Sequence, residues 1–264
     1  MKILLTNDDG YGAEGIESLR SVLSSEHQVY IFAPEGNRSG SSGSLLMSKK
    51  LSLTKRGENA WSLNGSPVDC VISALRSSLL PEKPDLILSG INHGANLGTD
   101  ITYSGTCGAA RQGALYGLPS VAVSLSRDQN ENYDFLTLSN FVKNNLELLV
   151  SLCGKAHTYR DLAPYPYFVN LNAPSVSYRG VRFTEPCHRV YPDIVEIEES
   201  DSGLTSMLSG GTNKIDCLPW SSNLSFEESD GGAVEKGFVS ISRLYTMPEA
   251  DNSSCAGKES DFVF

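Results

Sequence analysis

The sequence predicts an α/β fold, a mostly parallel sheet flanked by helices and followed by a β-rich C-terminal appendage. Three observations carry this. Short aliphatic runs at residues 2–6, 29–33, 85–89 and 120–125 read as strands covered on both faces. Segments of helical periodicity alternate with them, as in β-α-β units with right-handed crossovers. Beyond about residue 176 that periodicity fades into short alternations such as Val181-Arg-Phe183 and Phe238-Val-Ser-Ile241.

The elements follow in order. After the first strand, residues 14–25 place Ile16, Leu19, Val22 and Leu23 on one helical face, and Val29 to Ala33 forms the second strand. Leu51-Ser-Leu53 and Trp61-Ser-Leu63 alternate, predicting a small antiparallel excursion. Ser66 and Pro67 are an N-cap and first-turn proline for a helix through Val68, Val71, Ile72 and Leu75. A strand at 85–89 leads into a glycine-rich loop, Gly90 to Gly98. A small-residue helix (Gly108, Ala109, Ala110, Gly113, Ala114), a strand at 120–125, one long amphipathic helix over 133–152, and a last core strand at 167–171 complete the core. The reading divides the chain into a core at 1–175, an appendage at 176–250 with part returning to the core, and a disordered tail at 251–264. The acidic run Glu196 to Asp201 and the Gly/Ser/Asn-rich 200–232 stretch are expected to be long loops.

Composition narrows the function. A net charge of −10 argues against nucleic acid or an anionic membrane as partner, since both demand basic surface. Any anionic substrate must then be held by a metal or by backbone N–H groups. Met1-Lys2-Ile3 runs straight into the first strand with no signal-peptide pattern, and no apolar run reaches the roughly 18 residues of a membrane span. The expectation is a soluble, cytoplasmic protein. The six cysteines are scattered without CxxC pairs, as buried free thiols would be.

The chemistry sits at strand ends. Asp8 and Asp9 follow the first strand directly, where open α/β sheets build their sites, and Gly10 and Gly12 permit the turn that brings both carboxylates to one place. Ser39 lies in the loop after the second strand and Asn92 in the loop after residues 85–89. Two carboxylates, a hydroxyl and an amide oxygen form a hard, oxygen-only set suited to Mg²⁺, Mn²⁺ or Ca²⁺. Ser104-Gly105-Thr106 opens a helix, where unpaired N–H groups favour an anion, and Asn96 stands nearby in sequence. Each feature has an ordinary alternative: a solvated acidic loop, a turn serine, a left-handed asparagine, a helix cap. His93 reads as a loop histidine. Their convergence points to metal-assisted phosphoryl hydrolysis. Neither GxxxxGK[ST] nor a first-turn GxGxxG is present.

Five loops carry a family resemblance: Thr-Asn-Asp-Asp-Gly (6–10), Ala-Pro-Glu-Gly-Asn-Arg-Ser-Gly (33–40), Asn-Gly-Ser-Pro-Val-Asp-Cys (64–70), Ser-Gly-Ile-Asn-His-Gly-Ala-Asn-Leu-Gly (89–98) and Tyr-Ser-Gly-Thr (103–106). In this order they closely resemble the survival protein SurE family. The likeness continues through 169–174 and 178–182 and returns at 235–241, while 191–232 departs from the pattern, which bears on base preference and assembly. The resemblance implies a Rossmann-like core and a divalent-metal-dependent 5'-nucleotidase hydrolysing nucleoside monophosphates. It also implies one Mg²⁺ or Mn²⁺ per subunit and a β-hairpin that builds a homodimer or homotetramer. On its pattern Asp8, Asp9, Ser39 and Asn92 are metal ligands, and Asn96, Ser104, Gly105 and Thr106 contact the substrate phosphate. Asp8, Asn96 and Ser104 are the expected catalytic set, with Asp8 either general base or nucleophile. Two rivals stand beside it. An aspartyl-phosphate phosphatase needs a second Asp two positions after the nucleophile, where this chain has Gly10. A metal- and nucleotide-binding regulator would bind without turnover.

Overall fold

A computed structural model of the chain describes residues 1–128, 130–156, 163–191, 193–200, 203–210, 216–219 and 225–249. Lys2–Thr6 (β1), Gln28–Pro34 (β2), Leu53–Gly57 (β3), Ala60–Leu63 (β4), Leu86–His93 (β5), Ser120–Ser126 (β6) and Tyr167–Pro174 (β7) belong to one nine-stranded sheet. Val181–Phe183 (β8) also belongs to it. Cys187–Val190 (β9), Asp193–Ser200 (β10), Gly203–Gly210 (β11) and Asp216–Pro219 (β12) form two small antiparallel ribbons, β9 with β12 and β10 with β11. Val239–Tyr245 (β13) returns to the main sheet, whose order is β3-β4-β2-β1-β5-β6-β7-β13-β8. From β4 to β7 the strands are parallel.

Alternation along β1 divides the core into two layers. Ile3 and Leu5 face Glu14–Leu23 (α1) and Phe135–Asn144 (α4) through Ile16, Leu19, Leu138 and Val142. Leu4 faces the opposite layer, with Cys70 and Val71 of Pro67–Arg76 (α2) and Ala109 of Gly105–Leu115 (α3). All of these side chains are buried, as the aliphatic reading of the strands requires. The chain steps from β1 to β2 on one side and returns to β5 on the other. The sheet's topological switch point therefore lies between β1 and β5, and the crevice beyond their carboxyl ends is where such folds bind ligands.

Several expectations need correction. The helix expected over 133–152 is two, α4 and Leu146–Leu152 (α5), because the Asn145 side chain donates to the Phe141 carbonyl at 2.8 Å and competes with the helical ladder. Strand β5 does not stop at Ser89 but runs to His93 through a register shift against β6 between Ser89 and Asn92. Strand β7 is not the last of the core, since β13 pairs antiparallel with it and β8 pairs parallel with β13. The loops expected at 196–232 contain β11, β12 and the short helix Asp230–Glu235 (α6), and Glu196 to Ser200 lies in β10. There the Ile194-Val-Glu-Ile-Glu alternation outweighed the loop-like composition. The β10–β11 ribbon exposes Ile194, Val195, Ile197 and Met207. Cys70, Cys107 and Cys153 are free and buried, as expected, and Cys187 is buried. Cys255 and the tail at 251–264 lie outside the described residues. Among those described, no helix is long and apolar enough to cross a membrane.

Helix α2 is anchored by a full capping box. The Ser66 hydroxyl accepts from Asp69 N–H at 3.0 Å and donates to the Ser44 carbonyl at 2.6 Å, while Asp69 accepts from Ser66 N–H at 2.9 Å and Leu46 N–H at 3.1 Å. This ties the segment after Ser39 to the core. Ser66→Ala is expected to lower the unfolding free energy by about 1–2 kcal/mol in urea titration; a change below about 0.3 kcal/mol would contradict the assignment.

Candidate functional site

The acidic loop leaves β1 through Asn7, which is fully buried. Its side-chain amide donates to the Gly10 carbonyl at 2.9 Å and accepts from Gly10 N–H at 3.3 Å, closing the turn. Gly10 has φ +109°, and a Cβ there would stand 2.9 Å from the Gly36 carbonyl carbon, so no other residue fits without moving the neighbouring loop. Arg38 N–H donates to the Asp8 carbonyl at 2.6 Å, which brings the Ser39 loop alongside. Asn37 accepts from Ser39 N–H at 2.7 Å and sets the hydroxyl-bearing turn.

Asp8 is 3 % exposed. Its Oδ1 accepts from the Thr106 hydroxyl at 2.6 Å and its Oδ2 from Thr106 N–H at 3.3 Å, so the carboxylate sits on the N-terminus of α3. Burial pushes its pKa up, the Thr106 hydroxyl pulls it down, and the neighbouring Asp9 charge pushes it up again. Gly105 makes this approach possible: a Cβ there would lie 2.6 Å from Ser41 Oγ and 2.9 Å from Asp8 Cβ. Ser41 Oγ is itself buried, with no hydrogen-bond partner among the described residues. Asp9 Oδ2 accepts from His93 N–H at 3.2 Å and lies 3.3 Å from His93 Nδ1. At the end of β5, Asn92 donates its amide to the Gly94 carbonyl at 2.8 Å, which leaves its side-chain oxygen for another partner.

One cavity of about 740 Å³ is lined by Asp8, Ser39, Asn92, Asn96 and Ser104. Asp9, Gly105 and Thr106 do not line it; Asp9 turns toward His93, and Gly105 and Thr106 back Asp8. The donor set is chemically consistent with a hard divalent ion, since it offers two carboxylates, a hydroxyl and an amide oxygen. Among the described residues no group of three or more His, Cys, Asp or Glu gathers as a metal cluster.

The anion at the start of α3 is Asp8. Thr106 N–H goes to Asp8 and Cys107 N–H to the Ser104 hydroxyl oxygen at 3.0 Å, so the first two donors after Gly105 are engaged within the protein, and Ser104 alone of this turn lines the cavity. Thr106, expected against phosphate, commits both donors to Asp8. Asn96 is fastened by its backbone: its N–H donates to Asn172 Oδ1 at 2.7 Å, and its carbonyl accepts from Asn170 at 2.9 Å and Asn172 at 3.2 Å. Its side-chain amide meets the Ser124 hydroxyl at 2.8 Å. That hydroxyl can donate or accept, so either end of the Asn96 amide can face the cavity.

Sequence reasoning missed the supports. Asn170 and Asn172 are fully buried and alternate with Val169 and Leu171 on β7, a legible signal of polar groups aimed inward at one face. Asp230 is fully buried and accepts from Gly98 N–H at 2.7 Å, Cys187 N–H at 2.9 Å and Gly231 N–H at 2.8 Å, stitching the Asn96 loop to β9. Asp100 bonds Arg189 and the Tyr191 hydroxyl, and His188 to Tyr191 form the cavity's outer wall. No residue spacing signals that long-range contact.

Fold and site together define a Rossmann-like α/β protein with a crevice at its switch point lined by Asp8, Ser39, Asn92, Asn96 and Ser104. The sequence model described as "Survival protein SurE" matches residues 3–193, and the chain belongs to that family. A relative from Desulfitobacterium hafniense (strain DSM 10664 / DCB-2), "5'-nucleotidase SurE", is 34% identical over 255 residues, covering 93% of this chain and 91% of its own. Another of that name from Nitrosomonas eutropha is 42% identical over 185 residues, 70% of each chain. The crystal structure of SurE protein from Aquifex aeolicus superposes with a TM-score of 0.78 at 30% identity, covering 99% of this chain and all of the other.

The buried Asp8 charge carries a stability cost with a definite sign. Its folded pKa is raised, so the folded protein loses relative stability as pH rises from the ordinary carboxylate range through that raised value. Asp8→Asn is expected to raise the thermal midpoint of the metal-free protein at neutral pH. The gap should close on acidification, where Asp8 is protonated in both states. A midpoint lowered at neutral pH would contradict this.

Proposed function

We propose that this chain is a divalent-metal-dependent 5'-nucleotidase that hydrolyses nucleoside monophosphates to nucleoside and phosphate. Its class, phosphoric monoester hydrolase, follows from the family and from relatives named 5'-nucleotidase SurE. The observation that carries the finer reading is the shared cavity wall, in which oxygen donors from three neighbouring strand ends, Asp8, Ser39 and Asn92, stand beside Asn96 and Ser104.

Asp8, Asp9, Ser39 and Asn92 would hold one Mg²⁺ or Mn²⁺, which when bound supplies charge neutralisation at the phosphoryl group and a water of lowered pKa. The Ser104 hydroxyl, the Gly105 N–H and the Asn96 amide orient the phosphate and meet charge developing on its oxygens. Thr106 keeps the Asp8 carboxylate in place. The wall from His188 to Tyr191 leaves room for the nucleoside. Electrostatics supports the need for a cation: the cavity wall includes the carboxylates of Asp8, Asp100 and Asp193, and the Arg189 charge in it is engaged by Asp100. The exposed apolar side chains of the β10–β11 ribbon support assembly into homodimers or homotetramers.

The purified protein is expected to release phosphate from AMP or GMP with Mn²⁺ or Mg²⁺ and to stop on chelation. Asp9→Ala should lower kcat/KM by about 100-fold or more. Full activity in chelator would sink the metal reading, and absence of phosphate release with every nucleoside monophosphate and every metal would sink the nucleotidase reading.

A further inference from the structure

We propose that His93 is a positioning residue that fixes the Asp9 carboxylate for metal binding, an inference that rests on the metal reading above. Two of the three His93 nitrogens converge on one oxygen. Its backbone N–H donates to Asp9 Oδ2 at 3.2 Å, and its Nδ1 lies 3.3 Å from the same atom. Oδ2 is thereby held, and Oδ1 makes neither of these contacts. An unanchored carboxylate rotates and presents either oxygen; one held at Oδ2 presents a defined lone pair, which is how partners behind a ligand raise metal affinity.

The imidazole is held in turn. Phe135 meets it edge-to-face with centroids 4.6 Å apart at 64°, and Tyr133 does so at 5.2 Å and 67°. Those two rings stack on each other 5.5 Å apart at 10°. Glu14, the first residue of α1, lies 4.0 Å from Nε2 on the far side. The ring therefore joins four parts of the chain, the ends of β1 and β5, the start of α1, and the segment entering α4. Packing of this kind restricts the ring's plane without occupying Nδ1. The residue also lines the cavity, with its side chain about a third exposed, at 32%, while it contacts Asp9, Glu14 and the two rings.

Two substitutions separate the polar contact from the ring. His93→Phe keeps the aromatic cluster and the backbone N–H but removes the ring nitrogen that lies beside Asp9 Oδ2. His93→Asn loses the ring but places an amide N–H near the position of Nδ1. Isothermal titration of Mn²⁺ alone into the metal-free, full-length proteins should show His93→Phe binding about 10- to 100-fold more weakly, with His93→Asn within about threefold of the parent. The thermal midpoint of metal-free His93→Phe should match the parent. Parent-like affinity in His93→Phe would overturn the proposal, as would equal losses in both variants or an affinity loss that tracks a fallen midpoint. A parent protein that binds no Mn²⁺ would instead remove the metal reading itself.

Discussion

The Asp8 carboxylate on the first turn of α3 is the interaction on which the rest of the site depends. A buried negative charge is unfavourable unless it is paired or hydrogen-bonded, and here two donors of Thr106 and the positive end of the helix partly compensate it. The residual cost shows in the raised pKa. A folded protein that keeps such a group ready to ionise beside a second carboxylate has a place where a cation is electrostatically favoured. That expectation follows from burial and charge alone, before any ligand is considered.

The surrounding fold serves to hold this arrangement at the switch point. Asn7 closes the acidic turn, and Gly10 and Gly105 let two other segments approach without side chains between them. Arg38 N–H joins the Ser39 loop to Asp8, and the Ser66 capping box anchors the stretch that follows it. On the other flank, buried Asn170, Asn172 and Ser124 hold Asn96, and Asp230 joins the same loop to β9. Most of these supports are buried side chains bonded to backbone N–H groups and carbonyls, which set loop positions more rigidly than side-chain pairs on a surface would.

The parallel core was legible because its strands are uninterrupted aliphatic runs ending in glycine-rich loops, and because helices such as α2 carry their start signals in sequence. The split at Asn145 was not, since it turns on a side chain returning to its own helix. β13 falls in the stretch expected to return in part to the core, but alternation does not say which strand of the sheet it pairs with. Asp8, Ser39 and Asn92 were singled out from their place after strands and Ser104 from its place at a helix start, and these residues line one cavity together with Asn96. Thr106 and His93 were not read for their contacts. The hydroxyl of Thr106 lies across a sequence gap of 98 residues from Asp8, and His93 was assigned to a loop because β5 was ended too early. Such long-range pairings are decided by sheet order, which local pattern does not contain.

The account stands on Asp8, Asp9, Ser39 and Asn92 sharing one ion beside Ser104. A crystal structure of the full-length protein grown with Mn²⁺ and inorganic phosphate, with diffraction collected at the manganese absorption edge, tests this most directly. The account predicts one anomalous peak per chain, about 2.0–2.4 Å from oxygens of those four side chains, with phosphate between it and Ser104. A peak elsewhere, or phosphate bound with no metal at these residues, would contradict it.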